Sequence, residues 1–107
     1  MEPSKENNFL LEYIRHPVTR KKIGVAVSTS IDNEVRYGYS LANLKAGDEF
    51  NQELGREIAI GRILNQRKPQ RVVHKLAYPT VEKLVYKALK YFKGSTLPEG
   101  TEPVSHH

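Results

Sequence analysis

Apolar residues recur every second position through the first part of this chain and every third or fourth position after Phe50. The first period predicts strands. Phe9 to Arg15 is rich in aromatic and branched residues and ends at the turn His16-Pro17-Val18-Thr19. Lys22 to Thr29 alternates, with Ile23, Val25 and Val27 on one face and the small Gly24 and Ala26 on the other. Asp32-Asn33 supplies a second turn, and Val35, Tyr37, Tyr39 and Leu41 share one face of the strand that returns. Connections this short predict an antiparallel meander.

The second period predicts two helices. Asp48 is placed to cap the first, with Glu49 in its opening turn. Phe50, Leu54, Ile58, Gly61 and Leu64 then form one stripe, read as the core face, and Ile60 and Ile63 form a second apolar edge. Interior glycines cost a helix roughly 1 kcal/mol each, so Gly55 and Gly61 are both expected at close packing contacts. Arg67-Lys68-Pro69 ends this helix, and Gln70 to Tyr78 is open between a short strand and an ordered loop. Pro79 opens the second helix; Val81, Leu84, Val85, Ala88, Leu89 and Phe92 make its apolar stripe, and Gly94 stops it.

A three-stranded sheet alone leaves its apolar side wet. The expected fold is therefore α+β, a three-stranded antiparallel β-meander packed on one face by two helices. Residues 1–7 read as a flexible N-terminus, 8–94 as a single domain and 95–107, with two prolines and no aromatic residue, as a disordered tail.

Composition removes several chemistries. The 107 residues include no cysteine, which excludes disulfide scaffolds, thiolate metal sites and cysteine nucleophiles. No apolar run approaches the roughly 18–20 residues that span a bilayer, and MEPSKENN lacks the apolar centre of a signal peptide. A cytoplasmic protein without a membrane partner is expected. Formal charge is +5 and unevenly spread: Ile60 to Lys93 holds nine bases against one acid, Glu82. Such asymmetry points to an anionic partner for that part of the chain.

The basic residues carry the leading functional expectation. Lys83, Tyr86, Lys87 and Lys90 occupy the helix face opposite the apolar stripe, and Arg67, Lys68, Arg71 and Lys75 lie on the connection leading to it. Lysines neutralise phosphates and an interleaved aromatic can stack a base. Lysine in place of arginine argues for charge neutralisation over bidentate base reading. A second candidate surface is a pocket at the turn after the third strand, formed by Tyr39, Ser40, Asn43 and Arg62, where polar groups near a helix start suit a phosphate or nucleotide.

Metal and catalytic constellations are sparse. His16 and His74 stand apart, Glu53 and Glu57 have no histidine partner, and His106-His107 are read as inert terminal residues. Ser40 is the best hydroxyl nucleophile, but Gly38-Tyr39-Ser40-Leu41-Ala42 is no nucleophile elbow. Phosphate-loop and dinucleotide fingerprints are missing. No catalytic residue, metal or cofactor is expected.

The run Y-G-Y-S-L-A-N, then D-E-F, then G-R-E-I-A-I-G-R resembles a pattern in small bacteriophage proteins of unassigned role. In these an aromatic-Ser turn precedes an Asp-x-Phe helix start and an Ile-Ala-x-Gly-Arg helix. L-V-Y-K-A-L-K-Y-F-K-G is similar to the lysine- and aromatic-rich helix that closes them. The sequence departs from the pattern at Tyr39, where a larger aromatic is expected. The resemblance spans Lys22 to Gly94 and implies an accessory product that binds a host enzyme, nucleic acid or a defence signal. Two expectations follow. One is a non-enzymatic phage-type module binding nucleic acid or another polyanion through Arg67 to Lys93. The other is an inhibitor or adaptor, as a monomer or a homo-oligomer, that meets a host protein through Ile60, Ile63 and an open sheet face.

Overall fold

A computed structural model describes residues 9–42, 47, 49–65, 72–97 and 104–106. Three antiparallel strands, β1 (Leu10–Arg15), β2 (Lys22–Ile31) and β3 (Glu34–Leu41), form one sheet in the order β1-β2-β3. Helix α1 (Gln52–Leu64), strand β4 (Val72–His74), helix α2 (Tyr78–Tyr91) and strand β5 (Val104–His106) follow. The α+β class, the meander and the two helices are as expected. The expected flexible segment 1–7 lies outside the described residues, as does the helix end at Arg67-Lys68-Pro69.

The helices divide between the two faces of the sheet, where one shared face was expected. Register is the reason. Asp32 and Asn33 form a two-residue hairpin turn with φ of 54° and 66°, so Ile31 pairs with Glu34 and, further along, Ala26 with Tyr39 and Val25 with Ser40. The bulky face of β3 therefore lies beside Gly24, Ala26 and Ser28, while Val25 and Val27 face the other way beside Ser40 and Gly38. Both sides carry apolar groups, and each needs a cover.

Helix α2 covers the tyrosine side. Its buried Val81, Leu84, Val85 and Ala88 join Ile14, Ala26, Val35, Tyr37 and Val73 in one core, each large side chain contributing roughly 1.5–3 kcal/mol. Ile23 enters the same core through a bulge, because Ile14 pairs with Gly24 and Arg15 with Lys22. Helix α1 covers the valine side, where Val25, Val27, Ala59 and Ile63 form a second core.

Three details of α1 correct the sequence reading. Asn51 caps it, its side chain accepting from the Leu54 amide at 2.9 Å; Asp48 lies outside the described residues. The buried stripe is Gly55, Ala59 and Ile63, and the stripe expected inside is largely outside, with Leu54 54%, Ile58 38% and Leu64 60% exposed. Small residues face the sheet because backbone meets backbone there. A Cβ on Gly38 would sit 2.6 Å from the Ala59 carbonyl oxygen, and one on Gly55 3.1 Å from Ser40 Oγ. Gly61 has nothing within 4 Å of its Cβ position, so it is no packing contact.

The ambiguous stretch before α2 contains β4, which pairs in parallel with β5. The tail expected to be free from residue 95 onward is therefore tied to the fold at two places. Besides the β4–β5 pairing, the Thr96 amide donates to Asn33 O and its carbonyl accepts from the Val35 amide, both at 3.0 Å. Leu97 packs on the α2-side core.

Candidate functional site

The buried stripe of α2 fixes what its outer face presents. Lys83, Tyr86, Lys87 and Lys90 stand at i, i+3, i+4 and i+7, all exposed, and Tyr86 is 60% exposed. The one acid of this region is turned aside: Glu82 is half-buried and accepts a hydrogen bond from the Tyr78 hydroxyl at 2.9 Å. That bond, then burial and the carboxylate charge, raise the Tyr78 pKa above its ordinary value. Lys87 Nζ pairs with Glu12 Oε2 of β1 at 2.5 Å, tying the helix to the sheet edge. The structure thus brings Lys83, Tyr86, Lys87 and Lys90 onto one surface. Lys75 is exposed in the turn before α2, and Arg67, Lys68 and Arg71 lie outside the described residues.

Two cations that sequence reasoning left out extend this surface. A groove of about 410 Å³ opens between the β1–β2 connection and the first turn of α2. Arg15, Arg20, Lys75 and Lys83 line it, with Thr80 and Glu12. The connection is held by its own bonds: the His16 amide donates to Lys21 O and the Arg20 amide to His16 O, each at 2.9 Å. His16 Nδ1 accepts from the Val18 and Thr19 amides at 3.1 and 3.3 Å, and Arg15 Nη1 donates to Arg20 O at 3.0 Å. The available signal was the density of bases in Arg15-His16-Pro17-Val18-Thr19-Arg20-Lys21-Lys22.

The second candidate surface does not converge. Tyr39 and Ser40 are neighbours on a strand and point to opposite faces. The Tyr39 hydroxyl accepts from the His74 amide at 2.9 Å, anchoring β4. Ser40 Oγ is buried and donates to Gly55 O at 2.9 Å, holding α1. Arg62 Nη1 donates to the Tyr39 carbonyl at 2.7 Å, closing part of the β3 edge. Asn43 lies outside the described residues. Each described member is committed to joining elements, and a separate shallow groove of about 250 Å³ runs beside Ser40, Phe50, Leu54 and Ile58.

Ser28 and His74 are likewise engaged in structure. Ser28 Oγ donates to Arg36 O at 2.8 Å, and His74 Nδ1 accepts from the Leu76 amide at 3.1 Å. Among the described residues no three of His, Asp and Glu gather where a metal could sit, and no helix is long and apolar enough to cross a membrane. No family model matches the chain, and neither a curated protein nor a solved structure matches it significantly.

Proposed function

We propose that this chain is a small basic, non-enzymatic module that binds nucleic acid or another phosphate-rich polyanion along the outer face of α2, in the manner of a phage-type accessory protein. One observation carries the reading: three exposed lysines and an exposed tyrosine share a helix face, Glu82 is turned away to the Tyr78 hydroxyl, and Glu12 is paired with Lys87, which leaves Lys83 and Lys90 on either side of Tyr86. Lysines at this spacing follow a backbone by charge, and the Tyr86 ring offers a stacking surface for an unpaired base. The test is the salt dependence of binding to a fluorescent single strand. Replacing Lys83, Lys87 and Lys90 with Gln should reduce the slope of log affinity against log salt by about 0.7 per lost phosphate contact. It should leave the fold intact, since the Lys87–Glu12 pair is exposed and worth at most about 1 kcal/mol. Unchanged affinity in the folded triple variant would refute the reading.

A second reading, contact with a host protein, is favoured by a different observation. The surface first expected for it is used internally: Ile63 is buried and helices cover both sheet faces. Leu54, Ile58 and Leu64 instead stand exposed on α1 with Gly61 between them, an apolar surface of the kind that partners cover. Binding there would barely respond to salt between about 50 and 200 mM, whereas phosphate-driven binding weakens steeply.

A further inference from the structure

We propose that the groove between the β1–β2 connection and the start of α2 is a phosphomonoester site, taking the terminal phosphate of a nucleic-acid strand or of a mononucleotide. It deepens the polyanion reading, on which the strand as source depends, and its chemistry differs from that of the α2 face. Along α2 the lysines are spaced out, one charge for each passing phosphodiester. Here Arg15, Arg20, Lys75 and Lys83 surround a single groove of about 410 Å³. The one carboxylate in its lining, Glu12, is already paired with Lys87. Four cations exceed what one singly charged diester requires and favour the more highly charged phosphomonoester, which carries about −1.5 to −2 near neutral pH.

The groups fit that ligand in kind as well as in charge. Two are arginines, whose planar forks pair bidentately with phosphate oxygens where lysine offers only a point charge. Arg15 is aimed by its bond to Arg20 O. Arg20 itself sits at φ 65°, a conformation that glycine or asparagine fills at less cost. Its side chain lines the groove. The positive end of the 14-residue helix α2 adds to the same field, its first turn supplying Pro79 and Thr80 and its second Lys83. Phosphate oxygens would accept from both guanidinium groups, from the lysine ammonium groups and from the Thr80 hydroxyl.

The experiment compares 3′-labelled ten-nucleotide thymidine strands that end in a 5′-phosphate or a 5′-hydroxyl, by fluorescence anisotropy, and titrates thymidine 5′-monophosphate and thymidine against the ¹⁵N-labelled protein. The expected result is a preference for the 5′-phosphorylated strand of roughly tenfold or more, lost in Arg15→Gln and in Arg20→Gly. Arg20→Gly keeps the turn, because glycine suits its φ, so loss there is not unfolding. The monophosphate, unlike thymidine, should shift the amides of Arg15, Arg20 and Thr80. If only the monophosphate binds, the site stands with a free nucleotide as its ligand and the polyanion reading falls. Should both strands bind equally, with salt dependence but no amide shifts from the monophosphate, the groove proposal is overturned and the polyanion reading survives. A phosphate preference that persists in both variants overturns it too.

Discussion

Gly38→Ala tests whether α1 rests backbone to backbone on the sheet. The added Cβ would lie 2.6 Å from the Ala59 carbonyl oxygen and 3.1 Å from Ile63 Cγ1. Ile63 could turn aside, but a carbonyl inside a helix cannot. Relief requires α1 to lift from the sheet by about half an ångström or more, a gap that forfeits roughly a quarter to a half of each contact's dispersion energy. It would also stretch the Ser40–Gly55 bond, now 2.9 Å. Overpacking of this kind costs about 1–3 kcal/mol, and replacing a strand glycine returns roughly 0.5–1 kcal/mol of backbone entropy. Because the clashing partner is a backbone carbonyl, the upper part of that cost applies, about 2–3 kcal/mol, so the net loss is about 1–2.5 kcal/mol. At roughly 4–8 °C per kcal/mol for a domain near this size, Tm should fall by some 4–20 °C.

The control lies on α1 itself, two positions beyond Ala59. Gly61→Ala meets open space and gains about 1 kcal/mol of helix propensity, so its Tm should rise by about 4–8 °C. Circular-dichroism melts and urea titrations of the two variants provide the comparison. A Gly38→Ala protein as stable as wild type would show that α1 does not approach the sheet closely. A destabilised Gly61→Ala would place a neighbour where none is seen.

Removing Ser95 to His107 should cost about 1–3 kcal/mol, because it deletes both Thr96 backbone bonds to the β2–β3 hairpin and the Leu97 contact; an unchanged urea midpoint would refute this. Tyr78 supplies a pH test. Its folded pKa is raised by Glu82, so its stabilising contribution is full below the unfolded phenol's value near 10 and is lost as pH rises through the folded value. Wild type should lose stability above about pH 10 more steeply than Tyr78→Phe, and parallel pH–stability curves would remove Tyr78 from the account.

The strands were legible because alternation survives in Lys22 to Leu41, and α2 because its stripe is unbroken. The division of the helices is implicit in the hairpin register. A two-residue turn at Asp32-Asn33 pairs an odd position of one strand with an even position of the other. It therefore sets Tyr37, Tyr39 and Leu41 beside Gly24, Ala26 and Ser28. That pairing leaves Val25 and Val27 on the far side, in need of a second helix. The orientation of α1 runs against its hydrophobic pattern: hydrophobicity selects Leu54, Ile58 and Leu64, but Gly38 and Ser40 opposite demand small residues, and Gly55 and Ala59 supply them. Of the basic site, the α2 face follows from helical spacing alone. Arg15 and Arg20 join it only through the packing of α2 against β1, which local pattern does not contain.

Because the helices sit on opposite sides of the sheet, the two functional readings occupy separate surfaces. The cationic surface belongs to α2 and the β1–β2 connection, while the apolar one belongs to α1. Substitutions more than about 7–10 Å apart with no shared partner act nearly additively. Replacing Lys83, Lys87 and Lys90 should therefore leave any contact through Leu54 and Ile58 unaffected, and polar replacements at Leu54 and Ile58 should leave salt-dependent binding unaffected. The register of one hairpin thus decides both the fold and the separability of its surfaces. It gives each side of the sheet its own helix, and each helix its own outward face.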